Sequence, residues 1–402
     1  MKEILGVQDL DLKGKRVFLR VDFNVPLKES NGEWSVADDT RIQGALPCLE
    51  YIMSQGGRCV LASHLGRPKG KPNPKYSLEP VARALSEKIG KDVILTDDCI
   101  GDGARGLSHR LRNGEVMLLE NLRFHEEEEA NSPDFAARLA ELCDVYVTDA
   151  FGSLHRAHAS TSALPRSVAV RGIGQLVQKE LQYLEPLRSG PARPFVLIMG
   201  GAKVSDKIGV LEQFMPKVDR VIIGGAMAYA FLRAMGYGVG RSFCQDDQVK
   251  LAARLLKSAE ARGVQVVLPV DHVVTPSLDN TVGVSTTENV EIPADKMAVD
   301  IGPKSIAKFG EALAGAETIF WNGPMGVFET PAFAHGTFEL ARLIAETTAR
   351  KLVGGGDSAA AIAEAGFESK FDFISTGGGA TLEYLEGKEL PGLRAMETRV
   401  SA

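Results

Sequence analysis

The chain has 402 residues, of which 44% are hydrophobic and 24% are charged, and its formal net charge is −6. This composition is that of ordinary globular proteins and excludes disorder over most of the chain, while the length predicts at least two domains. The acidic balance argues against a nucleic-acid-binding protein, although a local basic cleft for a small anion is compatible with it.

The cysteines, the N-terminus and the apolar runs bear on the compartment. The five cysteines are scattered and none forms a C-x-x-C pair, which favours reduced thiols over a zinc site or a disulfide framework. The N-terminus is charged and lacks the apolar core of a secretion signal. The longest apolar run, about 221–232, is too short to span a membrane. We therefore expect a cytoplasmic protein that does not associate with membranes.

Short apolar runs alternate with helix-like stretches along the whole chain. The strands are predicted at 17–21, 59–62, 93–95, 116–119, 145–147, 195–199, 221–223, 266–268, 318–321, 351–353 and 371–374. They lack strict alternation, which is typical of parallel strands buried on both faces. Helices are predicted at 77–89, 133–143, 246–262 and 303–313, the second with Ser132 as its cap. The pattern predicts an α/β protein, and about a dozen strands are too many for one ordinary sheet.

The strands divide at a helix predicted over 175–188, which is followed by Ser189, Gly190 and Pro191. We predict two doubly wound, Rossmann-like domains, one over residues 1–174 and the other over 190–389. Residues 175–189 form the connecting helix between them.

The segment Gly101–Gly106 matches the G-x-G-x-x-G pattern, and Glu120 ends a strand near the position of a ribose-binding acid. The helix after this segment would be too short for a dinucleotide crossover, so we interpret the segment as a surface turn. A nicotinamide-dependent dehydrogenase using this turn is the main rival hypothesis for the function.

Glycine-rich segments follow four predicted strands of the second half, at 200–203, 224–225, 354–358 and 377–379. Glycine lets a ligand approach the backbone, and helix N-termini offer free N–H groups to phosphate, although tight turns also use glycine for geometry alone. Four such segments at one sheet edge favour an anion or nucleotide site. Lys203 and Lys207, four residues apart, add cations, and Asp357 either holds Mg²⁺ or caps a helix.

Arginines and histidines follow the strands of the first half, in the segments 20–26, 63–68, 120–125 and 149–158. If these strands are neighbours, the cations converge on one crevice and predict an anionic substrate. A polyanion in one half and nucleotide phosphates in the other predict phosphoryl transfer. A carboxylate acceptor, ionised at neutral pH, would need no general base.

The chain resembles the phosphoglycerate kinase family nearly end to end. The resemblance lies in RVDFNVP (20–26), SHLGRP (63–68), ENLRFH (120–125), GGAKVSDK (200–207), WNGPMGVFE (321–329), GGGDS (354–358) and STGGGA (375–380). It implies a glycolytic, bilobal hinge enzyme, a monomer whose tail, 390–402, returns to the N-terminal domain. Such an enzyme transfers a phosphoryl group reversibly between 1,3-bisphosphoglycerate and MgADP, in line and after domain closure, to give 3-phosphoglycerate and MgATP.

The resemblance also implies roles for individual residues. Phosphoglycerate would bind Asp22, Asn24, Arg41, His64, Arg67, Arg123 and Arg156. The nucleotide would bind Lys203, Lys207, Asn322, Pro324, Glu329, Gly355, Gly356, Asp357 and Ser358, with Asp357 holding Mg²⁺ and Glu329 on the ribose. The catalytic groups would be Arg41, Lys203, Lys207, Gly356 and Gly379.

One departure from the family pattern is Ala298, where glycine is common near the base, and it leaves the adenine contacts open. A third hypothesis is a non-catalytic, two-lobed anion-binding module. Such a module would be expected to lack Lys203 or Asp357, and both are present.

Overall fold

The computed structural model describes residues 2–399 except 203 and 280. The chain divides into two compact units: the first runs up to Gln182 and resumes at Glu389, and the second extends from Tyr183 to Lys388. Among the described residues, no helix combines the length and the hydropathy needed to cross a bilayer.

The first unit contains nine strands before the division. They are β1 (Lys2–Glu3), β2 (Arg16–Arg20), β3 (Leu27–Ser30), β4 (Glu33–Val36), β5 (Arg58–Ala62), β6 (Val93–Leu95), β7 (Val116–Leu118), β8 (Val145–Thr148) and β9 (Val170–Ile173). Its helices are α1 (Thr40–Ser54), α2 (Glu79–Ile89), α3 (Asp102–Arg110), α4 (Glu126–Glu129), α5 (Pro133–Ala140), α6 (Leu164–Ser167) and the first half of α7 (Gln175–Ser189).

Six of these strands form one sheet in the order β6-β7-β5-β2-β8-β9, and every neighbouring pair is parallel. The central strands are buried along their length because helices cover both faces, and this explains their continuous apolar sequences. The cap predicted for α5 is confirmed, since the Phe135 N–H donates to Ser132 Oγ at 3.4 Å. The short hairpin β3–β4 lies outside the sheet.

The second unit repeats this architecture. Its strands are β10 (Phe195–Met199), β11 (Arg220–Ile223), β12 (Gln265–Val267), β13 (His272–Thr275), β14 (Ser285–Thr286), β15 (Met297–Ile301), β16 (Thr318–Asn322), β17 (Arg350–Gly354) and β18 (Phe373–Ile374). Its helices after α7 are α8 (Ile208–Phe214), α9 (Met227–Ala234), α10 (Asp246–Ala261), α11 (Pro303–Leu313), α12 (His335–Ala345), α13 (Gly356–Glu364) and α14 (Gly379–Leu385).

The main sheet of the second unit is also six-stranded and parallel, in the order β12-β11-β10-β16-β17-β18. The two parallel sheets confirm the predicted fold class. The remaining strands form a small antiparallel sheet, β14-β13-β15, which the pattern of apolar runs does not predict.

The chain then returns to the first unit through α15 (Pro391–Met396) and β19 (Thr398–Arg399), which pairs antiparallel with β1. The Gly392 N–H donates to the Leu154 carbonyl at 2.9 Å. The tail is therefore hydrogen-bonded to the loop that carries Arg156.

The structure corrects two predictions about local conformation. The Gly101–Gly106 segment is not a surface turn: Gly101 caps α3 with a φ of +98°, and the rest of the motif lies inside that helix. Glu120 faces inward and accepts the backbone N–H of Leu78 at 2.7 Å, so it supports the start of α2. If a helix began near Val204, Lys207 would lie in its first turn, but Lys207 instead ends a 3-10 turn (Ser205–Lys207) that precedes α8.

Candidate functional site

The first candidate site lies at the carboxyl edge of the first sheet. In this sheet β5 lies on one side of β2 and β8 lies on the other. The connections after β2 therefore run in opposite directions, and the strand order reverses between β2 and β8. Ligands of parallel sheets bind at such a reversal. The strands that precede the four cationic segments are neighbours in the order β7-β5-β2-β8. Because these strands are neighbours, the four cationic segments converge at one edge of the sheet, as predicted.

The loops after β2 and β5 are joined by their polar side chains. Arg41, in the first turn of α1, forms a 2.7 Å ion pair with Asp22. The Gly66 N–H donates to Asn24 Oδ1 at 2.8 Å. Burial alone would raise the pKa of the Asp22 carboxyl, but the charges of Arg41 and Arg20 and a hydrogen bond from the Asn24 N–H lower that pKa. Asp22 is therefore an anion that orients Arg41.

Two buried residues with basic side chains, Arg123 and His64, lie under this edge. Arg123 is 7% exposed and donates through Nη1 to the Gly66 carbonyl at 2.8 Å, so its guanidinium is fixed against the loop after β5. Its Nε lies 3.2 Å from a carboxylate oxygen of Glu129. His64 is also buried, and burial lowers its pKa well below the usual range, as do Arg20, Arg123 and Arg41, while Asp22 opposes them. His64 is therefore a neutral imidazole.

Two further arginines are exposed at the edge. Arg67 makes no hydrogen bond or ion pair with any residue that the structure describes, and Arg156 donates through Nε to His155 at 3.1 Å. Arg156 is close enough to Arg123 to lower the pKa of the Arg123 guanidinium, although burial is the larger cause. The structure thus brings all seven predicted substrate residues to one edge, where cations outnumber acids.

Arg20, Glu128 and Ser160 are hydrogen-bonded to one another in this region, although the sequence motifs do not single them out. Arg20 was part of the RVDFNVP motif, but as the last residue of a buried strand it gave no signal of its own. Glu128 stands in a run of four glutamates, which is typical of a solvated helix face, and yet it is fully buried.

The second candidate site lies at the reversal of strand order between β10 and β16 in the second unit. Lys207 spans these two strands, since its ammonium donates to the Gly200 carbonyl at 2.6 Å and to the Asn322 carbonyl at 2.9 Å. Burial lowers the pKa of Lys207 to about 8, although Asp357 and Asp206 oppose the shift. Lys207 is therefore a poorly solvated cation at the place where a parallel sheet binds its ligand.

The glycines around Lys207 pack backbone against backbone. A Cβ on Gly200 would lie 2.2 Å from the Pro324 carbonyl oxygen, and one on Gly225 would lie 2.5 Å from the Gly201 nitrogen. Gly323 has a φ of +98°, and a Cβ there would meet the Lys207 ammonium at 2.3 Å. These glycines are required for close packing of the strand ends, so their presence alone does not indicate a ligand.

The glycines at the starts of α13 and α14 are different, because a Cβ on Gly356 or on Gly378 would meet nothing within 4 Å. Asp357 follows Gly356 in the first turn of α13 and is exposed, and Gly379 begins α14 and is also exposed. Two helix N-termini thus open onto the carboxyl edge of the sheet with unobstructed backbone. This arrangement is suited to phosphate oxygens.

Several predicted nucleotide residues have structural contacts. Asn322 donates through Nδ2 to the Gly354 carbonyl, and Ser358 Oγ accepts the Gly323 N–H, both at 2.6 Å. Gly355 caps α13 with a φ of +94°. The buried side chains of Asn322 and Ser358 therefore connect the end of β16 to neighbouring elements by hydrogen bonds.

The remaining predicted positions differ in exposure. Pro324 is buried, with its carbonyl accepting the Gly201 N–H at 2.9 Å, and Glu329 is exposed. Ala298 lies in β15, where its N–H donates to Ser242 Oγ at 2.9 Å. Lys203 lies outside the described residues.

One cluster elsewhere combines the donor types of a metal site. Single ligand atoms of Asp98, Cys99 and His125 lie within 4.8 Å of one another. However, His125 Nε2 is already 2.5 Å from Asp98, and the Cys99 thiol donates to the Glu120 carbonyl at 2.9 Å. The three groups therefore already have hydrogen-bond partners within the protein.

The fold and the two edges together define a class of protein. It has two doubly wound α/β units, one with an arginine-rich edge suited to a small polyanion and one with open helix N-termini beside a buried lysine. The model of one family, described as phosphoglycerate kinase, matches residues 7–388. The chain belongs to the phosphoglycerate kinase family.

Similar proteins and structures agree with this assignment. The chain is 52% identical over 403 residues to the phosphoglycerate kinase of Koribacter versatilis, which covers 98% of this chain and 99% of the relative. It is also 52% identical to that of Anaeromyxobacter dehalogenans, covering 97% and 98%. The phosphoglycerate kinase structure from Coxiella burnetii, at 38% identity, superposes with a TM-score of 0.88 and covers 98% of this chain and 99% of its own. That from Pyrococcus horikoshii, at 32% identity, has a TM-score of 0.82 and covers 98% of each.

Proposed function

We infer that this chain is a glycolytic phosphotransferase with a carboxyl group as acceptor. It transfers a phosphoryl group reversibly between 1,3-bisphosphoglycerate and MgADP to give 3-phosphoglycerate and MgATP. The observation that carries the inference is the pair of edges, one arginine-rich and one phosphate-compatible, each at a reversal of strand order in a chain of the phosphoglycerate kinase family.

The arginine-rich edge of the first unit binds the phosphoglycerate. Arg67 and Arg156 are exposed guanidiniums for its phosphate and carboxylate oxygens, and Arg123 is a third, held in place by Gly66. Asn24 and His64 bind the uncharged oxygens. Asp22 holds Arg41 by its ion pair until the transition state, whose additional negative charge Arg41 then stabilises.

The carboxyl edge of the second unit binds the nucleotide. The backbone N–H groups of Gly355, Gly356 and Gly379 receive phosphate oxygens in the open space beside Gly356 and Gly378, and Lys207 neutralises part of their charge. Asn322, Pro324 and Ser358 shape the wall beside them, and Glu329 binds the ribose. Lys203 follows the phosphoryl group during transfer.

The residues present fit a Mg²⁺ ion. Asp357 is an exposed carboxylate beside the open helix N-terminus, and Mg²⁺ in phosphoryl-transfer sites is bound by one or two carboxylates together with substrate phosphates. Asp357 would hold the ion, which would neutralise charge on the nucleotide phosphates. The exposed Glu329 carboxylate belongs to the ribose side.

The chemistry requires neutralisation and alignment rather than a base. The acceptor carboxylate is ionised at neutral pH, so no proton has to be removed from it. Lys203, Lys207, Arg41 and the backbone N–H groups of Gly356 and Gly379 would supply the positive charge and the dipoles for this neutralisation.

We propose that transfer follows closure of the two units about α7 and its flanking loops. The reacting atoms must come within about 3–3.5 Å, and water must be kept from the acyl phosphate. Only the ternary complex bridges both substrate sites, so it should populate the closed state more than either binary complex does. Small-angle scattering of apo, binary and ternary samples measures this, and a constant radius of gyration would contradict closure.

The activity is tested by coupling ATP formation from 1,3-bisphosphoglycerate and MgADP to a reporter reaction. Turnover is expected to depend on both substrates. Hydride transfer from added NADH to a carbonyl acceptor, without the reporter enzymes, would favour a dehydrogenase. Phosphoglycerate binding without turnover would favour a binding module. We expect the active species to be a cytoplasmic monomer, and the five free cysteines are in keeping with a reducing compartment.

A further inference from the structure

A buried chain of polar groups runs beneath the arginine-rich edge. Glu128 in α4 is 0% exposed, and its carboxylate accepts the Ser160 backbone N–H at 2.9 Å and the Ser160 hydroxyl at 2.6 Å. The same hydroxyl accepts from Arg20 Nε at 2.9 Å. Arg20 is 1% exposed, and its Nη2 lies 3.2 Å from His64 Nδ1. A buried acid is therefore connected, through two residues, to an imidazole at the substrate edge.

The donors and acceptors in this chain have only one consistent arrangement. The guanidinium of Arg20 has donors but no acceptor, so Nδ1 of His64 must accept, and the ring proton must be on Nε2. The Ser160 hydroxyl has a single proton, and because it accepts from Arg20 it gives that proton to Glu128. Both oxygens of Glu128 accept hydrogen bonds, which is the pattern of a carboxylate.

Glu128 also compensates a charge that has no access to water. Burial raises the pKa of Glu128, but Arg20, the two hydrogen bonds from Ser160, and Arg123 lower it again. Without Glu128, the Arg20 guanidinium would keep only Asp22 as a nearby counter-charge, and Asp22 is already paired with Arg41. A buried cation that is short of counter-charge moves toward water or another acid. His64 would then lose the donor that fixes its tautomer.

We propose that Glu128 is a positioning residue for phosphoglycerate. Acting through Ser160 and Arg20, it keeps His64 a neutral imidazole whose Nε2–H is its donor to the substrate. The charged groups that face His64 are Asp22, Arg20, Arg41 and Arg123. Among these cations a neutral donor adds a hydrogen bond without adding repulsion. The proposal rests on the proposed function, because it concerns the same substrate.

The kinetic test compares Glu128→Gln with Glu127→Gln, since Glu127 is the preceding residue and is exposed. Glu128→Gln should raise the KM for 3-phosphoglycerate about tenfold, the effect of one lost hydrogen bond, and leave the KM for MgATP within about twofold. Glu127→Gln should change neither constant. Equal KM values for 3-phosphoglycerate in both variants, with only a lower melting temperature for Glu128→Gln, would overturn the proposal.

Ser160→Ala provides a smaller perturbation in case Glu128→Gln folds poorly. It removes the hydroxyl between Glu128 and Arg20 and should raise the same KM selectively. An unchanged KM in folded Ser160→Ala would also overturn the proposal. An inactive wild-type protein would instead refute the proposed function, and the spectroscopic test below would then decide the role of Glu128.

The tautomer of His64 can be observed directly by ¹⁵N NMR of the histidine-labelled protein, with His64→Gln identifying the signal. The wild type should show an unprotonated Nδ1 and a protonated Nε2 at all pH values from 6 to 8. Glu128→Gln should show a mixture of tautomers, and Glu127→Gln should match the wild type. A wild-type Nδ1–H, or an unaltered His64 signal in Glu128→Gln, would refute the proposal.

Discussion

Binding of the nucleotide should be coupled to uptake of a proton by Lys207. Burial lowers the pKa of this ammonium to about 8, with Asp357 and Asp206 opposing the shift. At pH 8.5 about three quarters of Lys207 is then uncharged in the free protein, and at pH 7 about one tenth. Nucleotide phosphates nearby favour the charged form, so MgADP should bind with uptake of about 0.7 proton at pH 8.5 and less than about 0.1 at pH 7.

Isothermal calorimetry in two buffers of different ionisation enthalpy measures this uptake. The phosphates of MgADP are already ionised at pH 8.5 and contribute little to it. Lys207→Arg is the control, because a guanidinium stays protonated and the dependence on buffer should disappear. A wild-type binding heat that is the same in both buffers at pH 8.5 would refute the reasoning, either about the solvation of Lys207 or about its proximity to the nucleotide.

Three further outcomes are expected. Asp357→Asn should raise the Mg²⁺ concentration for half-maximal activity at least about tenfold, as for the loss of one charged ligand, and an unchanged Mg²⁺ titration would exclude its metal role. By calorimetry, Arg67→Ala and Arg123→Ala should each weaken phosphoglycerate binding by roughly 1.5–3 kcal/mol. Of these two variants, only Arg123→Ala should also lower the melting temperature, because only Arg123 donates to the Gly66 carbonyl. If either variant lost as much affinity for MgADP as for phosphoglycerate, the assignment of substrates to units would be refuted. Burial raises the pKa of Asp300 to about 7, so the free energy of unfolding is higher when this carboxyl is protonated and falls as the pH rises toward 7. In urea denaturation, Asp300→Asn should remove about 2 kcal/mol of the decrease in this free energy between pH 5 and 7. An unchanged pH dependence of the unfolding free energy in Asp300→Asn would contradict this.

The parallel sheets could be predicted because burial on both faces gives a strand an unbroken apolar sequence. Phe195–Met199 is such a strand and was predicted at its observed bounds. Strands with one exposed face or an exposed edge lack this signal. Val170, at the start of the edge strand β9, is 42% exposed, and β14 has only two residues, both exposed. These strands depend on neighbours that local sequence does not specify.

The Gly101–Gly106 segment shows the opposite limit. Its pattern matched a known motif, but glycine spacing alone does not distinguish a loop from a helix that happens to contain glycines. The helix forms because Gly101 supplies the positive φ at its cap and Asp102 begins the first turn. Glu120, which stands near the position of a ribose-binding acid in that motif, instead accepts the Leu78 N–H ahead of α2.

The candidate site was predictable to the extent that its motifs resemble a family. Residues at strand ends, such as Arg67 and Asp357, are exposed and stand in short polar segments, so the sequence points to them. Glu128 could not be found in this way, since its burial depends on the packing of α4 against the 159–163 turn. Asn322 and Ser358 carry family signatures but serve the packing of strand ends, a role that only coordinates reveal.

The two candidate sites stabilise their positive charges in different ways. This difference predicts how the two KM values change at alkaline pH. In the first unit, acids compensate arginines, whose guanidiniums stay charged, so affinity for phosphoglycerate should be constant from pH 7 to 9.5. In the second unit, Lys207 is held by two neutral carbonyls and loses its charge above about pH 8. The KM for MgATP should therefore rise by up to about tenfold per pH unit above 8, while that for 3-phosphoglycerate stays level. Steady-state kinetics with each substrate varied at saturating levels of the other measures both. A parallel rise of the two constants would mean that the alkaline limb comes from unfolding or from a group shared by both edges, and not from the lysine at the second reversal of strand order.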